Sequence, residues 1–263
     1  MTKPVSGTHE WASSNVNCVN GCSNNCSYCY AKAAAIKNGR KTPDTWQIEE
    51  INSKAVIKNY RKREGVVMFP STHDITLNNL EPCLRVLEKL LAAGNKVLIV
   101  SKPNIECIST LCERLKPWKR ENILFRFTIG SASDSILKLW EPNAPTYLER
   151  VASLVLAYKK GFQTSVSSEP FLDTNISLVV EQTTPYITDA IWIGKANNLI
   201  YRLTMNGATK EILEWGKILE DLQNDENIKL LYNKLKDNPK VKWKDSIKKV
   251  VGLDRPTEKG LDV

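Results

Sequence analysis

Cys22, Cys26 and Cys29 stand in the stretch CVNGCSNNCSYCY, residues 18–30, which holds four of the chain's seven cysteines. Their spacing is C-x3-C-x2-C, and the residues between them are Ser, Asn, Asn, Ser and Tyr. Small and polar residues of this kind suit a tight loop. Such a loop can point three thiolates at one centre, and thiolates are soft ligands suited to zinc or to iron–sulfur clusters. A 4Fe-4S cube usually takes four cysteines. Three would leave one iron open to another molecule. The competing reading adds Cys18 as a fourth ligand and makes a structural zinc site. Zinc sites usually separate two cysteine pairs by a longer insert, and the stretch from Cys18 to Cys29 has none. The known ferredoxin spacings also differ from this one. In the three-ligand reading Cys18 is a spare thiol, either facing the cavity or, as the favoured placement, buried in the first strand. Cys83, Cys107 and Cys112 fall on helical faces and read as small core hydrophobes.

The elements that must position this loop alternate along the chain. The run 65–69 (GVVMF) is strand-like, and 79–94 follows with leucines at helical spacing and Gly94 as a stop. The run 96–100 (KVLIV) is almost continuously apolar, as in a strand buried on both faces of a parallel sheet. Then come a helix around Ile105–Leu115, a strand at 123–129, a helix at 146–161, a strand at 163–167, a helix near 176–185 and a strand at 189–194. SSNVNCV, just before the cysteines, supplies a sixth strand. A βα repeat predicts a parallel sheet with helical crossovers, either doubly wound or an incomplete barrel. The strand ends read FPSTHD, VSKP, TIGSAS, SSEP and GKAN, all small and polar. In either architecture binding groups gather at such ends. The expected division is an α/β domain over 1–200 and a helical extension over 201–263 packed on it, including the basic, helical-looking stretch from Asn227 to Leu253.

Hydrophobic residues make up 42% of the 263 and charged residues 25%, so an ordinary core is expected and disorder is not. No apolar run approaches the roughly 20 residues that span a bilayer. The N-terminal MTKPVSGTHEW has no apolar signal region. A cytoplasmic protein with no membrane partner is therefore expected, one whose clustered cysteines bind metal or do chemistry instead of pairing as disulfides. The net charge of +8, with much of the excess in the C-terminal tail, points to nucleic acid or a phosphorylated molecule as partner. A monomer or weak dimer is expected.

With an aromatic just before its third cysteine, C-x3-C-x-Y-C resembles the signature of the radical S-adenosylmethionine (SAM) enzymes. The resemblance implies a partial (β/α)6 barrel with the cluster loop after the first strand. It implies a 4Fe-4S cluster on Cys22, Cys26 and Cys29 whose open iron chelates SAM, and an electron donor of flavodoxin or ferredoxin type. The chemistry implied is cleavage of SAM to a 5′-deoxyadenosyl radical that abstracts hydrogen from a substrate. The block 123–173 is similar to the spore photoproduct lyase-like branch in its Ser/Thr-rich strand end, its EPNAP segment (141–145) and its Glu149–Arg150 pair. By that likeness Tyr28 lies against adenine, Lys102 meets the SAM carboxylate, and Thr128 and Ser131 face the ribose or methionine part. Glu169, at the next strand end, suits ribose hydroxyls or substrate. The similarity runs from about Cys18 to Gly194.

One departure bears on chemistry. In the branch's DNA-repair lyase a cysteine near the second strand's end donates hydrogen to the product radical. In FPSTHDI (69–75) Ser71 stands at that place, and a hydroxyl O–H is too strong a bond for that transfer. Thymine-dimer repair by that route is therefore not expected. Ser71, His73 and Asp74 remain candidates at this strand end, with His73 a potential acid–base group. The substrate classes carried forward are nucleic acid or nucleotide first, then a small metabolite or peptide. The non-enzymatic alternative is a zinc-stapled binding module.

Overall fold

The computed structural model describes residues 4–261. Its frame is a seven-stranded, fully parallel sheet in the order β1-β4-β5-β6-β7-β8-β9. The chain runs β1 (Ser14–Asn15), β2 (Val19–Asn20), the cysteine loop, α1 (Tyr30–Lys37), β3 (Glu50–Ile51), α2 (Ser53–Ile57) and β4 (Val66–Phe69). It continues through α3 (Leu80–Ala92), β5 (Lys96–Ser101), α4 (Ile105–Arg114), β6 (Ile123–Thr128), α5 (Asp134–Trp140), α6 (Tyr147–Lys159) and β7 (Gln163–Ser168). Next come α7 (Ile176–Thr183), β8 (Ile191–Ile193), α8 (Leu199–Met205), α9 (Lys210–Leu222), α10 (Asp225–Leu235), β9 (Val241–Trp243) and α11 (Asp245–Val251). β2 and β3 form a separate antiparallel pair beside the cysteine loop.

The alternation expected from the sequence is present, and its cause is the burial pattern. Phe69, Ile99, Phe125, Phe127, Val166 and Ile191 are fully buried along the sheet. Leu84, Leu87 and Leu91 on α3 and Ile108, Leu111 and Cys112 on α4 cover it from outside. Each such leucine stabilises the fold by about 1.5–3 kcal/mol relative to leaving it in water. Helix starts are capped locally. Asn104 accepts from the Cys107 N–H at 3.1 Å and Thr146 from the Glu149 N–H at 3.3 Å.

The tail departs from the all-helical expectation. Val241–Trp243 is a strand that pairs with β8 and adds a seventh strand to the sheet. Pro239 cannot continue a helix, and the alternating Val-Lys-Trp then suits an edge position. The boundary expected at residue 200 falls inside α8. The sheet does not close. Residues near the N-terminus tie its two edges together: Ser13 N–H donates to Val66 O, while Glu10 accepts from the Asp245 N–H at 2.8 Å and pairs with Lys244 at 2.9 Å. No helix among the described residues is long and apolar enough to cross a membrane.

Candidate active site

The C-terminal ends of the parallel strands surround one cavity of about 410 Å³. Its wall contains Cys22, Cys26 and Cys29, together with residues that follow β4, β5, β6, β7 and β8. The cysteine loop is held against this opening by backbone geometry. Gly21 has φ +106, and a Cβ there would lie 2.3 Å from Ile48 O and 2.7 Å from Trp46 O. Only glycine lets the chain pass so close at that angle. Cys22 N–H donates to Trp46 O and Ser27 N–H to Trp140 O. Cys29 is the N-cap of α1, its sulfur accepting from the Lys32 N–H at 3.3 Å.

Three thiols are the soft donor set that an iron–sulfur cluster or a zinc ion takes. All three line the cavity, yet among the described residues no three His, Cys, Asp or Glu side chains converge closely enough to hold one metal ion. Burial pushes all three thiols upward, with Asp74 adding to the effect at Cys22 and Lys102 opposing it at Cys26. As thiolates they need a positive partner inside the cavity. Cys18 is not in that wall. It is fully buried behind the loop with its sulfur 3.7 Å from Cys83 Sγ, so the zinc arrangement that needs Cys18 lacks its fourth ligand. Cys107 and Cys112 are buried on α4.

A chain of buried charges stands behind the cysteines. Asp74 Oδ1 accepts from the Lys102 N–H at 2.7 Å and from Ser101 Oγ at 3.1 Å; Oδ2 accepts from Asn24 Nδ2 at 2.9 Å. Burial pushes the Asp74 carboxyl up, but the Lys102 charge and these donors outweigh it and hold it below the usual range. Lys102 Nζ sits 3.8 Å from Asp74 Oδ2 and 3.9 Å from Glu141 Oε1. Both distances exceed hydrogen-bond reach, so its three donors are unspent. Burial would pull this ammonium down; Cys26, Tyr28, Asp74 and Glu141 together hold it well above the usual lysine value. Glu141 is completely buried, pairs with the equally buried Arg150 and accepts from the Tyr28 hydroxyl. Arg150 also donates to Thr128 O at 3.2 Å and to Pro145 O at 2.8 Å.

The structure brings most of the expected residues together. Tyr28, Ser71, His73, Asp74, Lys102, Thr128 and Glu169 all line the cavity with the three cysteines. Ser131 does not. It is fully buried, donates to Asp173 and accepts from the Ser133 N–H, so it shapes the loop after β6 and does not face a ligand. The His73 Nε2 accepts from the Cys18 N–H at 3.3 Å and its Nδ1 lies 3.1 Å from Asp74 O, so both ring nitrogens have backbone neighbours. Ser71 is fastened to Asn17, whose Oδ1 also accepts from the Ser71 and Thr72 N–H groups. Asp74 positions Lys102 and the cysteine loop.

Several site residues were not identified from the sequence. Glu141 and Arg150 stood in the EPNAP and Glu-Arg segments, but nothing local showed them to be one buried pair. Asn206, at the end of α8, donates to Ser27 O at 2.8 Å and Cys29 O at 3.0 Å, so the tail clamps the cysteine loop. Arg202, Lys195 and Asn197 line the cavity from the β8–α8 region. Lys244, fully buried, lies 3.4 Å from Glu169 Oε2 and 3.8 Å over the Trp11 ring.

An open parallel sheet with its cavity at the strand ends and a three-cysteine loop after its first strand is a partial α/β barrel, and this chain has that fold. Among solved structures, a double mutant of spore photoproduct lyase with bound AdoMet and dinucleoside spore photoproduct superposes with a TM-score of 0.55 at 13% identity, covering 92% of this chain and 78% of that one. Streptococcus suis SuiB bound to precursor peptide SuiA superposes with a TM-score of 0.56 at 10% identity, covering 92% of this chain and 51% of that one. No protein-family model matches the chain, and no curated protein does.

Proposed function

We propose that this chain is a radical SAM enzyme. The observation that carries the reading is that three thiols, and no fourth cysteine among the described residues, share a cavity with a buried lysine whose donors are unspent. Cys22, Cys26 and Cys29 would hold a 4Fe-4S cluster. When bound and reduced by a flavodoxin- or ferredoxin-type donor, that cluster supplies the electron that cleaves SAM to a 5′-deoxyadenosyl radical.

The chain's own residues bind, orient and enclose. Lys102 offers a charge-assisted contact to the SAM carboxylate. Asp74 and Glu141 hold Lys102 in place without using its donors. Tyr28, pinned through its hydroxyl, offers its ring to the adenine, and Thr128 offers a hydroxyl at the next strand end. Burial of the cavity keeps water from the reacting atoms. The likeness to the spore photoproduct lyase structure supports this arrangement. Ser71 at the second strand end argues against that protein's hydrogen-return step here.

The test is anaerobic reconstitution with iron and sulfide, reduction with dithionite and addition of SAM. The expected result is 5′-deoxyadenosine formation by the wild type and none by Cys26→Ala. Cleavage that survives Cys26→Ala, or wild-type protein that binds zinc and cleaves nothing, overturns the proposal.

A further inference from the structure

The charges around the cavity do not balance evenly. Each carboxylate in its wall faces a cation: Asp74 faces Lys102, and Glu169 faces Lys244. Arg202 has no such counterpart. Among the described residues no carboxylate lies within ion-pair distance of its guanidinium, which donates no hydrogen bond to them. The Tyr30 ring lies 5.8 Å from centroid to guanidinium, and the Tyr30 hydroxyl is itself fixed to Ser71 O. Burial pulls the Arg202 guanidinium below its usual value, with Cys29, Glu169 and Tyr30 opposing. A guanidinium beside an aromatic ring and away from carboxylates keeps its N–H donors for a ligand. Lys195 belongs to the same wall, and its sole ion pair is a 3.6 Å contact with the exposed Asp225.

The backbone that carries these cations is rigidly built, and the C-terminal tail builds it. Lys195 N–H donates to Ser246 Oγ at 3.0 Å, and Ala196 N–H to Gln223 Oε1 at 2.7 Å. Gln223 in turn donates to Phe171 O at 2.7 Å. Gly194 packs so closely that a Cβ would lie 2.9 Å from Lys244 Cβ and 3.0 Å from Glu169 Cγ. Asn206 anchors the other end of α8 to the cysteine loop.

We infer that Arg202, with Lys195 and Asn197, is the binding site for a phosphate group on the enzyme's substrate. A planar guanidinium with free donors recognises a phosphate in fork geometry, and a nearby ammonium and amide complete the set. Lys102, which follows β5, is the cation assigned to the SAM carboxylate, and Arg202 stands on α8, so the two anions have separate partners. Lys195, Asn197 and Arg202 line the same cavity as the cysteines, so a small phosphate ester would enter beside SAM, and a strand would have to reach in from the rim. The inference deepens the radical SAM reading and rests on it for the word substrate, but phosphate binding itself needs no cluster.

The experiment measures binding by the full-length protein of deoxynucleoside 5′-monophosphates, the matching nucleosides and a short single-stranded oligodeoxynucleotide, in wild type, Arg202→Gln, Arg202→Lys and Lys195→Gln. Circular dichroism melts confirm that each variant folds. Monophosphates should bind at least about 10-fold tighter than nucleosides. Arg202→Gln should lose about 10- to 100-fold in monophosphate affinity, the range of a charge-assisted hydrogen bond. Arg202→Lys should fall between, and nucleoside binding should be unmoved. Tighter oligonucleotide binding that falls steeply with salt would assign the phosphate to a strand; tighter monophosphate binding would assign it to a free nucleotide. Equal affinities for monophosphate and nucleoside, no binding of any phosphate ligand, or an Arg202→Gln protein indistinguishable from wild type overturns the inference. SAM cleavage measured in parallel on wild type separates the two ideas: cleavage by a protein that shows no preference for phosphate ligands sinks only this site, and phosphate binding without cleavage sinks only the radical SAM reading.

Discussion

The two sides of the cavity are built differently. On the cysteine side, Asp74, Lys102, Glu141, Arg150 and Tyr28 form a continuous buried network in which every carboxylate has a cation and most donors have acceptors. On the tail side, Glu169 and Lys244 are paired, but among the described residues Arg202 has no carboxylate within ion-pair distance and sits beside the Tyr30 ring. Buried charge is tolerated where it is paired. The first side has its charges paired as folded, leaves the Lys102 donors for a ligand, and suits a resident cofactor held in one geometry. The second is incomplete and suits a ligand that arrives with its own negative charge.

The comparison can be broken most forcefully at its deepest pair. Glu141→Ala leaves Arg150 fully buried without a counter-ion, and removal of one partner of such a pair costs about 3–5 kcal/mol. A large drop in melting temperature is expected, measured by circular dichroism; a melt within a degree of wild type would mean the network is not structural. Lys102→Met should weaken SAM binding by about 10- to 100-fold, read by equilibrium binding to the reconstituted protein. Unchanged SAM affinity would show that its unspent donors serve something else. Asn206→Ala removes both amide bonds from the tail to the cysteine loop and should cost about 1–3 kcal/mol, with faster loss of iron in air as the sharper readout. The smallest effect belongs to Ser131→Ala. Stability should fall by about 1 kcal/mol while SAM affinity stays put, whereas a drop in SAM affinity would return Ser131 to the cavity.

What was legible in the sequence follows from how local each signal is. The C-x3-C-x2-C spacing lies within eight residues, and the strands at 66–69, 96–101 and 123–128 announce themselves by short apolar runs. Lys102, Thr128 and Glu169 were legible because strand ends line the cavity of any such sheet. Glu141 and Arg150 meet Tyr28 across more than a hundred residues, and no local pattern marks them. Lys244 reads as one more lysine in a basic tail, a residue type almost never buried unless paired. Its partner Glu10 stands near the opposite end of the chain. β9 is only three residues long, too short for periodicity to reveal, although Pro239 was a usable warning. The two backbone partners of His73 were not legible because they are set by tertiary placement, with Cys18 lying 55 positions away.

The central claim is that three thiols grip a cluster whose remaining iron takes SAM. Electron paramagnetic resonance of the anaerobic, dithionite-reduced protein, recorded with and without SAM, tests it most directly. The account predicts a reduced 4Fe-4S signal whose g-values shift when SAM is added, and no such signal in Cys22→Ala, Cys26→Ala or Cys29→Ala. A signal indifferent to SAM, or a protein that holds stoichiometric zinc and no iron after reconstitution, would contradict it.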